Sequence, residues 1–228
     1  MRRLIAFFIL SCVKTISHLL WRCDYQWIDE PPFDAWEKTR IIVLMNHTSL
    51  YEPIYSQAFS YPYLWHLAGT LSVPGADITL KRPIVGFFWK LMVPNIAPVS
   101  RKKDETWSNY LSSIETDSTV MIAPEGRMKR PNGLDKYGKE MSVRGGLVDI
   151  VEAIHDGGMM LCFSGGLHHI QKPGQHLPRP FKPIRMNLCY IDIPSYIKSF
   201  PDDPRERKIA MVADLQKRLK TDCPNLKG

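Results

Sequence analysis

Ile41-Ile42-Val43-Leu44-Met45-Asn46-His47-Thr48-Ser49-Leu50-Tyr51-Glu52 is the stretch whose reading decides the fold. Its first half is a short apolar run rich in β-branched residues, the signature of a buried strand. The run stops at Asn46, so the polar cluster falls at the strand's carboxyl end, where open α/β sheets hold their ligands. His47 and Glu52 then stand five positions apart, a spacing that suits an imidazole base and the carboxylate that orients it. Pro53 disfavours helical angles at Glu52 and is well placed at a helix's first position, so a short helix is expected to start there. That placement weakens the plainer reading of Ser49 and Glu52 as a capping box. The same grammar recurs further on, where Val120-Met121-Ile122-Ala123 runs into Pro124-Glu125-Gly126-Arg127. Two strand tips carrying this chemistry in one chain suggest one site.

Working outward, the pattern predicts a strand over 40–45, a second strand over 63–68, a helix over 83–91 and a short strand over 96–99. Asp104 caps a helix in which Trp107, Leu111 and Ile114 recur at helical spacing. A core strand over 119–123, an amphipathic helix over 143–154, strands over 159–163 and 186–193, and a basic helix over 205–220 complete the reading. Strands alternating with helices imply an α/β architecture: a single layered domain with a mixed, largely parallel sheet flanked by helices. Its expected span is 36–228, after a 1–28 amphipathic helical segment and a Pro-rich linker at 29–34.

The amino-terminal segment opens Met1-Arg2-Arg3 and is wholly apolar from Leu4 to Leu10. That run is too short to span a bilayer, which needs about 20 residues. On a helical wheel Leu4, Ile5, Phe8, Ile9, Cys12, Val13, Ile16, Leu19 and Leu20 share one face. Arg3, Ser11, Lys14, Thr15, Ser17 and His18 lie opposite, with Phe7 and Leu10 intruding among them. The expectation is a membrane-interfacial amphipathic helix, its Arg2, Arg3, Lys14 and Arg22 each adding about 1 kcal/mol against an anionic surface.

At 228 residues and 44% hydrophobic composition the chain can bury one sizeable core. A net charge of +7 favours anionic partners, membrane surfaces and phosphorylated substrates among them. The basic residues gather beside the motifs and the first helix and do not form a stripe interleaved with aromatics, which argues against nucleic acid. Five scattered cysteines without a Cys-x-x-Cys pair point to a reducing compartment and no structural zinc. The expected location is therefore the cytoplasmic face of a membrane; the sequence leaves oligomeric state open.

The ordered blocks resemble those of the phospholipid and glycerol acyltransferases, the 1-acylglycerol-3-phosphate acyltransferase family. Asn46, His47, Ser49 and Glu52 match its first block. Lys81, Pro83 and Gly86, leading through residues 95–100 to Arg101, are similar to its second. Ala123-Pro124-Glu125-Gly126-Arg127 is similar to its third. The resemblance implies an O-acyltransferase of phospholipid biosynthesis using acyl-CoA or acyl-carrier protein as co-substrate, with no further cofactor and no metal. His47 would be the general base and Glu52 its orienter. Asn46, Ser49, Arg101, Glu125, Gly126, Arg127, Lys129 and Arg130 would bind substrate, the cations holding phosphate. Glu52 replaces the family's usual Asp, the Thr before Arg127 is missing, and the family's fourth block has no clean equivalent in 159–165.

Trp65, Phe87, Phe88, Trp89, Leu91 and Met92 are candidates to line an acyl tunnel. Two rivals stand beside this reading. One is a catalytically silent lipid-binding relative. The other is a serine ester hydrolase using Ser164 in Cys162-Phe163-Ser164-Gly165-Gly166, where the nucleophile-elbow pattern asks for Gly at the place of Cys162. A metal site from His168, His169 and His176 lacks helical ligand spacing.

Overall fold

The computed structural model describes residues 1–100, 104–172, 175 and 177–225. In chain order the elements are α1 (Arg2–Leu20), β1 (Trp21–Trp27), β2 (Thr39–Met45), a 3-10 helix (Glu52–Ala58), α2 (Tyr61–Thr70), β3 (Leu71–Ala76), α3 (Asp77–Leu80) and α4 (Pro83–Met92). They continue with β4 (Asn95–Val99), α5 (Glu105–Ser112), β5 (Thr119–Ile122), α6 (Gly146–Ile154), β6 (Gly158–Ser164), β7 (Lys182–Asp192), α7 (Ile193–Lys198) and α8 (Pro204–Thr221).

The strands form one seven-stranded sheet in the order β1-β7-β6-β2-β5-β3-β4. Every neighbouring pair is parallel except β6 with β7. The expected mixed, largely parallel sheet is present, and β2, which carries the decisive motif, sits near its centre between β6 and β5. Its two faces separate the core by the alternation a strand imposes. Ile42, Met160 and Cys162 pack under α1, the 3-10 helix, α2 and α4. Ile41, Val43, Met45, Met159, Leu161 and Phe163 pack under α6, α7 and α8.

Two element assignments need correction. Residues 63–68 are helical: Ser60 caps α2 by accepting from the Tyr63 N–H, and Pro62 occupies its first turn. That start signal outweighs the apolar run that read as a strand. The segment 1–28 is not helical throughout either. α1 ends at Leu20 and the chain passes straight into β1, which pairs along its whole length with β7 from Trp21↔Lys182 to Trp27↔Leu188. Its place in the sheet ties that segment to the α/β layer, so the expected boundary falls inside a continuous hydrogen-bonded structure.

α1 also faces the other way from an ordinary amphipathic helix. The side that reads as polar is the buried one: Ala6, Leu10, Lys14 and Ser17 face the protein, and Phe7 joins the core beside them. Lys14 Nζ donates to the Gln57 carbonyl at 2.7 Å. Arg3 donates to the Trp65 carbonyl at 3.1 and 3.2 Å with its guanidinium 4.4 Å from the Trp65 ring centre. Both cations are thus engaged by the protein; Lys14 is buried and does not face outward as expected, whereas Arg3 stays exposed. Leu4, Ile5, Phe8, Ile16 and Leu19 point away from it, Phe8 68% and Leu19 71% exposed. The whole helix is long and apolar enough to cross a membrane, although its first apolar run alone is not. Its inner face nevertheless packs along the 3-10 helix, α2 and α4.

The turn from α3 into α4 requires Gly86, because a Cβ there would lie 2.1 Å from the Leu80 carbonyl oxygen. Gly86→Ala is expected to destabilise the fold by about 1–3 kcal/mol through overpacking against main chain that cannot swing aside. Urea unfolding measures this, and an unchanged midpoint would mean that α3 and α4 do not meet so closely.

Candidate active site

β2 ends at Met45, and the next residue, Asn46, adopts φ of +63°, a left-handed conformation that Asn tolerates better than most residues. Its side-chain amide donates to the Ser164 carbonyl at 2.8 Å, fastening the tip of β2 to the tip of β6. The expected role of Asn46 in substrate binding is not supported by this placement, since its amide is spent on the bend.

The turn after β5 supplies the other tie. Glu125 is 1% exposed, and its carboxylate accepts from the main-chain N–H of Asn46 at 2.6 Å and of His47 at 3.2 Å. Burial raises its pKa, and the Asn46 N–H, the charge of His47 and the His47 N–H pull it back. Buried carboxylates are tolerated when hydrogen-bonded in this way. Expected to meet substrate, Glu125 instead joins two strand tips and thereby sets the position of the imidazole. The Lys129 N–H donates to the His47 carbonyl at 2.8 Å, so the His47 main chain is held from both sides.

Glu52, 6% exposed, opens the 3-10 helix and turns back toward β2. One carboxylate oxygen meets His47 Nδ1 at 2.7 Å and the other accepts the Thr48 N–H at 3.1 Å. The extra methylene of Glu relative to Asp is accommodated, and both oxygens are engaged. No capping box forms with Ser49. That side chain is wholly buried, donates to Gln171 Oε1 at 2.8 Å and accepts the Tyr51 N–H at 3.1 Å. Ser49 thus stiffens the loop carrying His47.

His47, Ser49, Glu52, Gly126 and Arg127 open onto one cavity of about 960 Å³. Its far walls are apolar, built from Leu10, Leu64, Leu67, Val73, Trp89 and Met92. Of the residues expected to line a tunnel, Trp89 and Met92 do so, whereas Leu91 stands outside its lining and Trp65, Phe87 and Phe88 are exposed. A residue that sequence reasoning missed, Arg144, also lines the cavity. Its Nε donates to the Glu125 carbonyl at 3.1 Å and its side chain lies against Gly126, whose φ is +67°. Arg144 went unseen because its position reads as the solvent side of a helix; α6 in fact starts at Gly146.

Arg127 makes an ion pair with Asp135 and stacks over Tyr137, 4.8 Å from the ring centre. Lys129 reaches toward Asn46 Oδ1 at 3.4 Å, and with Asn46 and Glu125 it lines a separate polar cleft of about 670 Å³. Arg130 is exposed on a turn closed by its N–H to the Leu134 carbonyl. Of the expected cationic set, Arg127 and Lys129 therefore line different openings, and Arg130 lines neither. Arg101 and His176 lie outside the described residues.

The alternatives find less support in the geometry. Ser164 is buried, shares a hydrogen bond of 2.6 Å with the Tyr55 hydroxyl and accepts the Gly166 N–H, with neither partner an imidazole. His168 and His169 donate to the Lys129 and Pro183 carbonyls. No group of metal-ligating side chains gathers among the described residues.

Residues 17–182 match the family model described as Acyltransferase. Comparison with curated protein sequences finds no match. Among solved structures, the fold is similar to that of the 1-acyl-sn-glycerophosphate acyltransferase PlsC from Thermotoga maritima. The TM-score is 0.59 at 16% identity, covering 96% of this chain and 81% of that one.

The Arg127 loop has a pH window of its own. The Lys139 N–H foremost, with Arg127 and the Tyr137 N–H, holds Asp135 down from an ordinary 3.8 to about 2. A depressed folded pKa means stabilisation present above 3.8 and lost as pH falls through about 2. Hydrogen-exchange protection over 127–140, measured relative to intrinsic exchange at each pH, should be high at neutral pH and fall across that window, and Asp135→Asn should lower it already at neutral pH. Exchange indifferent to both changes would contradict the role given to Asp135.

Proposed function

Because the chain belongs to the acyltransferase family, we propose that it moves a fatty acyl group from a thioester, acyl-CoA or acyl-carrier protein, to a hydroxyl of a lysophospholipid or glycerol-phosphate acceptor. The observation that carries this reading is the His47–Glu52 pair opening onto a cavity with cationic side chains near it and apolar walls beyond. The match to a 1-acyl-sn-glycerophosphate acyltransferase fold is consistent with such an acceptor.

With Glu52 accepting from Nδ1–H, the opposite nitrogen Nε2 is left basic, the tautomer a general base requires. It takes the acceptor's hydroxyl proton as that oxygen attacks the thioester carbonyl carbon. Glu52 stabilises the imidazolium that results, as carboxylates do in triads. The tetrahedral adduct then collapses, the C–S bond breaks, and the imidazolium returns its proton to the departing sulfur. Products are the acyl ester and a free thiol, with no acyl-enzyme needed because the thioester is already activated. Arg127 and Arg144 attract the acceptor's phosphate, and the apolar walls take the acyl chain. Glu125 belongs to this scheme as a positioning residue. The outward apolar face of α1 rests on the membrane that supplies the lipid.

His47→Ala is expected to lower turnover of labelled acyl-CoA with a lysophospholipid by about 10²- to 10⁴-fold with the fold intact. Glu52→Gln should lower it less. Wild-type turnover in His47→Ala would overturn the assignment. Arg127→Ala and Arg144→Ala should raise KM for a phosphate-bearing acceptor by about tenfold while leaving kcat nearly unchanged, the signature of lost ground-state binding. Equal effects on an uncharged monoacylglycerol would contradict phosphate recognition.

A further inference from the structure

α4 is a second helix whose apolar side faces out. Ile84 is 83% exposed and Phe87 64%, with Phe88 also exposed, while Gly86 and Met92 face inward. α4 packs beside α1 on the same face of the sheet, and α1 likewise turns Leu4, Ile5 and Phe8 outward. Scattered surface apolar residues need no explanation, but two helices in contact that both present them make a surface of the kind that marks an interface.

The charges around α4 select the partner. Lys81, Arg82 and Lys90 are exposed about it, Lys81 within 3.6 Å of the Asp77 carboxylate, and α4 itself contains no Asp or Glu. Arg2 is exposed at the start of α1. An apolar plane rimmed by cations fits the headgroup and upper acyl region of an anionic bilayer, where each basic side chain near the surface adds attraction. The inner faces of the same helices wall the cavity, through Leu10 from α1 and Trp89 and Met92 from α4.

We propose that α4, through Ile84, Phe87 and Phe88 with Lys81, Arg82 and Lys90 around them, docks together with α1 on an anionic lipid bilayer as one surface. This deepens the membrane reading of α1 and does not rest on the acyl-transfer chemistry, because the test reads binding without turnover.

The experiment is sedimentation of the full-length protein with phosphatidylcholine vesicles, with and without phosphatidylglycerol. A variant carrying Ile84→Ser, Phe87→Ser and Phe88→Ser, with α1 unaltered, should partition about tenfold less. Lys81→Gln, Arg82→Gln and Lys90→Gln together should remove the gain that phosphatidylglycerol gives the wild type. Wild-type binding by the first variant, with binding lost in Leu4→Ser/Phe8→Ser, would assign the surface to α1 alone and overturn the proposal. Undiminished phosphatidylglycerol dependence in the second would overturn the charge argument. Hydrogen exchange of the unaltered protein needs no variant to fold: residues 83–92 should gain protection when vesicles are added, and unchanged exchange there would also overturn it.

Discussion

The Glu125 carboxylate, buried between two strand tips and accepting main-chain N–H groups from Asn46 and His47, is the constraint on which the site depends. A carboxylate in that place costs desolvation, which its raised pKa registers, and it persists because the donors are fixed by the sheet. With β2 held on one side by Glu125 and on the other by the Asn46–Ser164 bond, the chain can leave the strand only in the sharp left-handed bend observed at Asn46. That bend delivers His47 to the cavity and brings the first turn of the 3-10 helix back under its ring. The catalytic pair thus follows from main-chain geometry before any property of the imidazole is considered.

The remainder of the site is layered on this tie. Glu52 is satisfied on both oxygens, so its position is set independently of any substrate. Ser49 and Gln171 stiffen the intervening loop. Asp135 holds Arg127, and the Glu125 carbonyl holds Arg144, so two cations lining the cavity are anchored through elements that also fix the base. A preorganised arrangement of this sort spends its ordering cost during folding and not at the moment of reaction.

Much of this was legible in the sequence because the signals were local. The apolar runs of β2, β5 and β6, the Pro after Glu52 and the Asp104 cap each declared their element within a few residues. What escaped depended on contacts across the chain. β1 does carry a strand's period-two alternation, Trp21, Cys23, Tyr25 and Trp27 against Arg22, Asp24 and Gln26. The apolar helix that runs straight into it masks the signal, and its place in the sheet is set by pairing with β7. The 63–68 segment reads as a strand from its apolar run alone, because its helix-start signal, Ser60 with Pro62, lies before that run. Glu125 and Asn46 read as substrate ligands from sequence; in the structure Glu125 accepts the Asn46 and His47 main-chain N–H groups and Asn46 donates to the Ser164 carbonyl, ties set by the lateral order of β6, β2 and β5. The outward apolar face of α1 is the one its wheel predicts for an interfacial helix; what the wheel does not foretell is that Lys14 and Ser17 turn inward onto the protein, Lys14 to the Gln57 carbonyl.

The protonation state of His47 tests the central claim most directly. Ring nitrogen shifts from ¹⁵N NMR at neutral pH should show a protonated Nδ1 and an unprotonated, pyridine-like Nε2, with that preference weakened when Glu52 is replaced by Leu. A ring protonated on Nε2 in the unaltered protein, or a tautomer indifferent to loss of the Glu52 carboxylate, would contradict the account.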